Sequence, residues 1–472
     1  MGSYIGASLF ANAQTRAAET LHAFHLPPYA LMQRAGLAVA KFAVAVAPHA
    51  KTIWLACGPG NNGGDGYQAA MHLKLWGKYP VVTCLEDSRN MPDDAAAARK
   101  MASNAGVVFS ETVPPQYDMC IDALFGIGLV RPWNERGADW VQRINAGSAP
   151  TVSIDLPSGL DADTGMTHGL HVNANYTLSL LTLKPGLFTA DGRAACGEIW
   201  FNNLGLDKPE GACARLNNAP TISPRAHNTH KGSFGDVCIV GGSSGMTGAA
   251  LLAARAALRG GAGRVYVGLL GSTAVQLDIC QPELMFREIS GLAYETMTVV
   301  AGCGGGEAIV AQLSVLLTQS ARLVLDADAL NAIAKNVTLQ NLLTARPKQT
   351  TVLTPHPLEA ARLMGLSIAD VQANRLGIAQ AMADQFACTV VLKGSGTVIA
   401  APGVLPCINA TGNARLATAG TGDVLAGLIG ARLAAGRDAF SSASESVFRH
   451  GQVADDWVSN TTMTAHSLAQ AL

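Results

Sequence analysis

Two glycine-rich segments, far apart in the chain, each follow a short apolar run and precede a helical pattern. The first block reads Thr52-Ile-Trp-Leu-Ala-Cys57 followed by Gly58-Pro-Gly-Asn-Asn-Gly-Gly-Asp-Gly66. The second reads Asp236-Val-Cys-Ile-Val240 followed by Gly241-Gly-Ser-Ser-Gly-Met-Thr-Gly248. A buried strand that ends in a glycine loop and leads into a helix is typical of parallel α/β sheets, which bind ligands at the carboxyl ends of their strands. The sequence therefore predicts two α/β blocks.

Strand and helix patterns continue to alternate after each glycine loop. In the first block, the patterns predict helices at 67–76 and 93–105 and strands at 81–85, 119–123 and 151–155. In the second, they predict a helix at 249–260 and strands at 299–301, 323–325, 351–353 and 389–392. Between 202 and 228 the alternation decays into Asn- and Pro-bearing sequence, which indicates a linker.

The composition supports a globular enzyme and excludes two classes of partner. A chain of 472 residues is too long for one core, and 49% hydrophobic with 14% charged residues is typical of a well-packed α/β protein. The net charge is −1 without a Lys/Arg run, which argues against binding to nucleic acid or anionic membranes. Ten scattered cysteines form no CxxC pair and the start has no signal-peptide pattern, so we expect a cytoplasmic protein.

The segment Gly420-Thr-Gly-Asp423 opens an apolar helical run and indicates a phosphate-transfer site. Glycines let successive backbone N–H groups point at one anion, and the start of a helix adds partial positive charge. Asp423 in the same turn would repel a phosphate, but it is well placed to accept a proton from an attacking hydroxyl. A tight turn with an acidic first-turn residue is the structural alternative.

Motifs in the first block resemble the epimerase domain of the NAD(P)H-hydrate repair enzymes. They are the Gly58–Gly66 loop, Cys120-Ile-Asp-Ala-Leu-Phe-Gly126, Ser153-Ile-Asp-Leu-Pro-Ser-Gly-Leu-Asp161 and Leu183-Lys-Pro-Gly-Leu187, in this order. The match Gly58-x-Gly-x-x-Gly63 to the dinucleotide fingerprint is weak by itself. The resemblance implies an N-terminal Rossmann-like three-layer α/β/α domain over 1–216 that interconverts the R and S forms of hydrated NADH and NADPH.

The same resemblance implies the ligand-binding residues of this domain. Asp155 would face the reacting ring, because epimerisation at C6 requires a positioned proton acceptor; a loop carboxylate capping Ser158 is the structural alternative. Asn62, Asp122 and Ser158 would ligate K⁺. The hydrated nucleotide would be bound by Asn61, Asn62, Gly63, Gly64, Asp65, Gly126, Ile127, Gly128, Leu129, Val130, Arg131, Pro132 and Asp155. Ile127 stands where the family commonly has threonine.

Motifs in the second block resemble the companion dehydratase, a ribokinase-like enzyme. They are His230-Lys-Gly-Ser-Phe-Gly-Asp236, the Gly241–Ala249 loop, Leu325-Asp-Ala-Asp-Ala-Leu330, Leu353-Thr-Pro-His-Pro-Leu-Glu359, Lys393-Gly-Ser-Gly-Thr397 and Gly412-Asn-Ala-Arg-Leu-Ala-Thr-Ala-Gly-Thr-Gly-Asp423. The resemblance implies a C-terminal ribokinase-like α/β domain over 230–472, joined by a linker at 217–229. This domain would dehydrate the S form at the expense of ADP, with ATP as the alternative donor, and with Mg²⁺.

The resemblance also assigns roles within this second domain. Asp423 would be the catalytic base. The nucleotide would be bound by Lys393, Gly394, Ser395, Gly396, Thr397 and Gly422. The hydrated nicotinamide would be lined by Ala249, Gly304, His356 and Asp423. The chain departs from the family at Leu358, Arg415 and Ala419, each in place of a glycine, and at Gly302-Cys-Gly-Gly-Gly306, which varies a proline-bearing form.

Other interpretations remain open at this stage. Asp326 and Asp328 are candidates for capping the helix from Ala329 onward, Lys393 for an exposed strand-end charge, and His356 for a plain turn histidine. A ribokinase-like small-molecule kinase fused to a nucleotide-binding domain, and a non-catalytic nucleotide sensor, are the alternative functions. The resemblance further implies a homo-oligomer.

Overall fold

The computed structural model describes residues 4–85, 91–128, 133–167, 169–221, 226–271, 275–458 and 460–472. The chain forms two compact units, Met1–Ala214 and Arg215–Leu472. Among the described residues, no single helix is both long and apolar enough to cross a bilayer. The helix pair at Asn12–His25 and Ala30–Val46 meets those criteria only in combination, and it is bent by 115°.

The N-terminal unit contains strands and helices in alternation. Its helices are α1 (Asn12–His25), α2 (Ala30–Val46), α3 (Asn61–Leu75), α4 (Asp93–Asn104), α5 (Glu135–Ala146) and α6 (Gly192–Ala195). Its strands are β1 (Ser8–Leu9), β2 (Thr52–Cys57), β3 (Tyr79–Cys84), β4 (Val108–Ser110), β5 (Met119–Ala123), β6 (Thr151–Ile154), β7 (Tyr176–Leu180) and β8 (Glu198–Asn202); β9 (Ala214–Leu216) begins where this unit ends.

Seven of these strands form one parallel sheet in the order β4-β3-β2-β5-β6-β7-β8. Side chains that alternate along β2 enter two different cores: Ile53 and Leu55 pack with α2, α3 and α4, and Trp54 packs with Trp140 of α5. The sheet is therefore covered by helices on both faces, as in a three-layer sandwich. The direction of strand order reverses between β2 and β5, which is where α/β sheets of this kind bind ligands.

Helix α3 begins earlier than its sequence predicts. The segment from Asn61 to Gly66, expected to be loop, forms the first turns of this helix. Glycine disfavours helices by propensity, but here it permits close packing. A Cβ added to Gly63 would lie 2.0 Å from Gly58 O, and one added to Gly66 would lie 2.8 Å from Cys57 Sγ. The glycines thus let the start of the helix rest directly on the end of β2.

The C-terminal unit has more helices than strands. Its strands are β10 (Asp236–Gly241), β11 (Arg264–Leu269), β12 (Met285–Phe286), β13 (Thr298–Ala301), β14 (Arg322–Leu325), β15 (Thr351–Leu353), β16 (Thr389–Leu392), β17 (Val398–Ala401) and β18 (Val404–Ile408). Its helices are α7 (Thr247–Arg259), α8 (Val310–Gln319), α9 (Ala327–Ala334), α10 (Val337–Thr344), α11 (Pro357–Met364), α12 (Ile368–Ala373), α13 (Arg375–Phe386), α14 (Thr421–Ala434), α15 (Ala439–Asp455) and α16 (Ala465–Gln470).

These strands follow the order β18-β17-β16-β15-β14-β13-β10-β11-β12. The pairs from β12 to β16 are parallel, whereas β16-β17 and β17-β18 are antiparallel. Helix α14 packs on this sheet and against α7 in a small-residue contact, since a Cβ on Gly427 would lie 2.0 Å from Ala253 O. The Ala- and Gly-rich composition therefore brings the first turn of α14, with Asp423, close to the ends of the central strands.

Candidate active sites

A cavity of about 960 Å³ lies in the N-terminal unit at the carboxyl ends of β2, β5 and β6. The segments that follow these strands supply Gly60, Phe125 and Asp155 to its wall, and α1 supplies Arg16 and Glu19. This volume is within the range of small-molecule sites. The cavity therefore coincides with the point at which strand order reverses.

The structure brings seven of the predicted nucleotide-binding residues to this cavity. They are Asn61, Asn62, Asp65, Gly126, Ile127, Gly128 and Asp155. Gly63 and Gly64 lie in the same turns of α3 but face its packing contacts, because a Cβ on Gly64 would meet Met32 at 2.5 Å. Leu129, Val130, Arg131 and Pro132 lie outside the described residues. Ile127, the departure from the family, accepts a hydrogen bond from Asn12 Nδ2 at 2.7 Å through its backbone oxygen.

Asp155 is held in an uncommon backbone conformation directly after β6. Its φ is 69°, in the left-handed region that costs about 1–3 kcal/mol for a residue with a side chain. Asp155 Oδ1 accepts a hydrogen bond from Leu180 N at 3.0 Å and another from the ammonium of Lys184, with which it forms an ion pair. Lys184 is fully buried and also donates to Leu180 O at 2.8 Å. The buried ammonium of Lys184 thus fixes the Asp155 carboxylate at the cavity. The sequence alone did not assign a role to Lys184.

Asp122 and Ser158 form a buried oxygen cluster behind the cavity. Ser158 Oγ lies 2.6 Å from Asp122 Oδ1 and 3.1 Å from Phe125 O. Asp122 Oδ2 accepts hydrogen bonds from Ser153 Oγ at 2.8 Å and Ser158 N at 2.9 Å, and burial raises the pKa of this carboxyl. Carboxylate, hydroxyl and carbonyl oxygens are ligands that alkali cations bind. The donor set therefore fits the predicted K⁺ ligands.

Asn62, the third predicted K⁺ ligand, lies beside Gly126. Its Oδ1 is 3.3 Å from where a Cβ on Gly126 would lie. Its buried Nδ2 has no hydrogen-bond partner among the described residues. No hydrogen bond joins Asn62 to Asp122 or Ser158 in the part of the chain that the structure describes, so the structure groups two of the three predicted ligands by direct contact.

In the C-terminal unit, the site residues follow four neighbouring strands. Cys303 comes shortly after β13, Asp326 directly after β14, Thr354 directly after β15 and Lys393 directly after β16. Lys393 Nζ donates to Asp326 Oδ1 at 2.7 Å, and Thr354 Oγ1 donates to the same atom at 2.8 Å. Asp326 is the first residue before α9, but its side chain makes this ion pair and does not cap the helix. Lys393 is therefore a partly buried ion-pair partner and not an exposed strand-end charge.

Asp423 joins this cluster from the first turn of α14. The carboxylates of Asp423 and Asp326 and the thiol of Cys303 lie within 4.8 Å of one another. Burial, and next the charge of Asp326, raise the pKa of Asp423 to about 6, while a hydrogen bond from Cys303 and the charge of Lys393 oppose the rise. A carboxylate whose pKa lies near neutral pH suits a general base. Burial raises the pKa of the Cys303 thiol, which therefore remains protonated.

A buried arginine donates hydrogen bonds to the backbone at the end of β16 and the start of the loop that follows it. Arg375 is 1% exposed, and its Nη2 donates to Leu392 O at 3.2 Å and Lys393 O at 3.1 Å. Gly394 has φ of 130°, and a Cβ there would lie 3.0 Å from Arg375 Nη1. A Cβ on Gly422 would lie 3.4 Å from Lys393 Nζ, so the predicted nucleotide-binding residues converge from β16 and α14. Ser395, Gly396 and Thr397 complete the turn into β17. Nothing in the local sequence of Arg375 marks this supporting role.

The predicted nicotinamide side consists of two separate pairs of contacts. Gly304, with φ of 58°, lies against Ala249, since a Cβ on Gly304 would be 2.9 Å from Ala249 Cβ. His356 begins α11 and forms a capping box with Glu359: His356 Nδ1 accepts from Glu359 N at 3.2 Å, and Glu359 Oε2 accepts from His356 N at 2.8 Å. Burial lowers the pKa of His356 and raises that of Glu359 to about 7. His356 is thus an ordered helix cap and not a plain turn residue.

The remaining predicted positions have local structural roles. Asp328 Oδ2 accepts a hydrogen bond from Gly306 N at 2.8 Å, which ties α9 to the loop after β13. Leu358 N donates to His356 Nδ1 at 3.0 Å, and the Leu358 side chain is partly exposed. Arg415 lies in a short 3-10 helix, and Ala419 is exposed just before Gly420.

Comparisons with known proteins cover both units. Residues 237–472 match a family model described as NAD(P)H-hydrate dehydratase, and residues 28–186 match one described as YjeF-related protein N-terminus. The bifunctional NAD(P)H-hydrate repair enzyme Nnr of Escherichia coli (strain K12) is 37% identical over 448 residues, which cover 90% of this chain and 85% of that protein. The corresponding enzyme of Coxiella burnetii is 33% identical over 468 residues, covering 95% of this chain and 94% of that protein.

A solved structure is similar to the C-terminal part of the chain. The ADP/ATP-dependent NAD(P)H-hydrate dehydratase from Bacillus subtilis, co-crystallized with ATP and Mg²⁺, is 31% identical. The match has a TM-score of 0.46 and covers 53% of this chain and 92% of that one.

Two α/β units, each with a carboxylate beside a glycine-rich turn at the carboxyl end of its sheet, define a two-domain enzyme that acts on nucleotides. The chain belongs to the family of bifunctional NAD(P)H-hydrate repair enzymes. The predicted family is confirmed, as is the two-domain class with a Rossmann-like and a ribokinase-like α/β domain.

Proposed function

We propose that this chain restores NADH and NADPH from their hydrates in two reactions, one in each unit. The epimerase domain, 1–216, interconverts the R and S forms at C6. The dehydratase domain, 230–472 after a linker at 217–229, converts the S form to the reduced nucleotide and consumes ADP. Family membership supports this assignment. The observation that carries it is that Asp155 lines the N-terminal cavity together with the glycine-rich start of α3, and that Asp423 lies in the glycine-rich first turn of α14.

In the epimerase domain, we assign Asp155 to proton transfer at C6. The hydrate carries a hydroxyl on the carbon bonded to the ring nitrogen, so its configuration inverts when a bond at that carbon breaks and reforms. Asp155 lines the cavity, and its pairing with Lys184 keeps one carboxylate oxygen fixed. The polar start of α3, with Asn61 and Asn62, and the Gly126–Gly128 loop would bind the nucleotide.

In the dehydratase domain, we assign Asp423 as the base that takes the proton of the C6 hydroxyl. The oxygen attacks the terminal phosphorus of ADP, the bond to AMP breaks, and a phosphate ester forms at C6. Phosphate then leaves from C6 as a proton leaves C5, which restores the ring double bond. Lys393, Gly394–Thr397 and Gly422 would bind the nucleotide. The start of α14, which favours negative charge, would stabilise the phosphoryl group in transfer.

Two metal ions enter this proposal in different ways. Asn62, Asp122 and Ser158 would hold K⁺ together with the Phe125 carbonyl oxygen, and a cation there would offset the burial of the Asp122 charge. For Mg²⁺, the cluster of Cys303, Asp326 and Asp423 is a poor site, since its thiol is protonated and Asp326 already pairs with Lys393. We therefore assign Mg²⁺ to the nucleotide substrate, as its phosphate complex. ADP is the proposed donor, with ATP as the alternative.

Self-association and a reducing compartment complete the proposal. The ten cysteines are all free thiols, which suits the cytoplasm.

A homo-oligomer is proposed from the family resemblance alone, and sedimentation of the purified chain tests it.

The deciding experiment supplies a mixture of R and S hydrated NADPH with K⁺, Mg²⁺ and either ADP or ATP. Initial recovery of reduced-nicotinamide absorbance is followed for the wild type, Asp155→Ala and Asp423→Ala, because the epimers also interconvert spontaneously. The wild type should consume both epimers. Asp155→Ala should slow sharply once S is exhausted, and Asp423→Ala should recover nothing while still equilibrating R with S. The ADP and ATP arms identify the phosphate donor.

The opposite results would redirect the assignment. If the wild type recovers no reduced nucleotide with either donor, the repair function is wrong. Phosphorylation of a vitamin alcohol by ATP would then support a ribokinase-like kinase. If Asp155→Ala and Asp423→Ala both retain wild-type rates, the chemistry lies with other residues.

A further inference from the structure

Helix α1 supplies an acidic side chain to the epimerase cavity that the family match does not reach. The match begins at residue 28, whereas α1 spans Asn12–His25. Glu19 lies on this helix and lines the same cavity as Asp155, from a different wall. The carboxyl group of Glu19 is half-buried, and no side-chain hydrogen bond holds it among the described residues. Glu19 is therefore available to a ligand in the cavity.

The proposed epimerisation needs a second proton-transfer group. If the ring opens, the C6 hydroxyl loses its proton, the bond between N1 and C6 breaks, and C6 becomes an aldehyde carbon. N1 keeps the bonding electron pair and must receive a proton. Rotation about the C5–C6 bond and reversal of both transfers close the ring on the opposite face of C6. One group must therefore accept a proton while another donates one, and Asp155 supplies only one of them.

We propose that Glu19 is this second catalytic residue, the acid that protonates N1 on ring opening and receives the proton back on closure. The inference rests on the proposed epimerase function. Asp155 pairs with the Lys184 ammonium, which suits a carboxylate that accepts protons. Glu19 has no such partner among the described residues and faces the carboxylates of Asp155 and Asp65.

The electrostatic surroundings of Glu19 agree with a proton donor. Burial, followed by the charge of Asp155, raises the pKa of Glu19. Arg16 and Lys184 lower it by smaller amounts, and Asp94 raises it slightly. Two carboxyl groups in one cavity whose environments differ in this way are typical of acid–base pairs. Asp65 also has a raised pKa, from burial and then from Asp155 and Glu19, but it lies in the segment assigned to nucleotide binding.

The test compares Glu19→Gln, Glu19→Asp and Asp94→Asn in the full chain. Glutamine keeps the shape of the side chain but cannot donate the proton, so we expect kcat for epimerisation to fall by about 10²–10⁴-fold, with KM within about threefold. Aspartate keeps the acid and should recover part of kcat. Asp94 lines the same cavity, so Asp94→Asn measures the effect of losing one negative charge there, and its loss of kcat should be at least about tenfold smaller than that of Glu19→Gln.

Two further readouts separate this inference from its alternatives. Dehydration of the purified S form takes place in the other unit and measures the amount of active chain, whereas an epimerisation KM near wild type and the partial recovery in Glu19→Asp show that the epimerase unit is folded. The alkaline decline of kcat in the wild type should be absent from the residual rate of Glu19→Gln. Epimerisation by Glu19→Gln within tenfold of wild type, a change in KM alone, or an equal loss in Asp94→Asn would overturn the inference. A wild type without epimerase activity would instead overturn the proposed function.

Discussion

Replacing Cys303 by alanine should move the acidic limb of the dehydration rate to higher pH. The Cys303 sulfur lies 3.9 Å from Asp326 Oδ2 and within 4.8 Å of the Asp423 carboxylate, and hydrogen bonding from the thiol lowers the pKa of Asp423 against the effects of burial and Asp326. A hydrogen bond of this kind contributes about 0.5–1.5 kcal/mol. At about 1.36 kcal/mol per tenfold change in proton affinity, its loss displaces the limb upward by about 0.4–1.1 in pH. The sign follows because only ionised Asp423 accepts the hydroxyl proton.

The assay is kcat/KM for dehydration of the S form, measured with saturating ADP and Mg²⁺ from below pH 6 to above pH 8. The wild type should show a limb near the Asp423 pKa of about 6. Well below it, Cys303→Ala should be about 2.5- to 13-fold slower, whereas the two proteins should converge at high pH. Asp326 and Lys393, the other charged groups beside Asp423, are unchanged in this variant.

Cys303→Ser is the matched control, because a hydroxyl still donates a hydrogen bond and should keep the limb within about 0.3 of wild type in pH. Epimerase activity measures the amount of active chain, and convergence with the wild-type dehydration rate at high pH shows that the dehydratase unit is folded. A loss of rate that is equal at every pH would show that Cys303 only packs the site. A limb that moves to lower pH would refute the electrostatic argument itself.

Three further substitutions test the supports of the two sites. Gly394→Ala should raise KM for ADP severalfold in initial-rate assays, because φ of 130° costs alanine about 1–3 kcal/mol and its Cβ would crowd Arg375; an unchanged KM would exclude this loop from nucleotide binding. The Glu359 pKa of about 7 lies above the ordinary carboxyl value. The protonated side chain therefore contributes up to about 3 kcal/mol to the free energy of unfolding below about pH 4.5, and this contribution is lost as the pH rises through 7. Glu359→Gln should remove that slope from the unfolding free energy measured in urea, and a slope equal to wild type would contradict the assignment. Ser158→Ala should cost about 1–3 kcal/mol in the same assay and raise the KCl concentration that half-saturates epimerisation, since it removes one oxygen beside Asp122; unaltered KCl dependence would argue against the K⁺ site.

The central strands were predictable from sequence because they are apolar on both faces. The predicted bounds 52–57 and 119–123 are those of β2 and β5, and each is buried along almost its whole length. The start of α3 was not predictable by the same reasoning. Local propensity treats glycines as loop formers, whereas Gly63 and Gly66 are needed where the helix touches β2. That contact depends on the tertiary structure, which residue preferences do not contain.

The partners of the two aspartates proposed to act in catalysis, a lysine and a thiol, show a second limit. Asp423 was singled out by its place in a glycine-rich turn at the start of a helix, whereas Asp155 was assigned from the resemblance of its flanking motif. Lys184 is 29 residues from Asp155, on a segment beyond the next strand, and its ion pair depends on burial of both groups. Cys303 precedes Asp423 by well over one hundred residues. Neither partner has a local pattern that distinguishes it from an ordinary core or surface residue.

The order of the strands in the sheet is the information that was missing for grouping Asp326, Thr354 and Lys393 with Cys303. Asp326, Thr354 and Lys393 each directly follow a predicted apolar strand, and Cys303 lies two residues after the end of another. Because β13, β14, β15 and β16 are consecutive neighbours in a parallel sheet, the residues after their carboxyl ends must lie side by side. The sequence supplies every member of this row but not the order of the strands. The sequence therefore left Asp326 open to interpretation as a helix cap. In the sheet only β15 separates β14 from β16, so Asp326 is close enough to pair with Lys393.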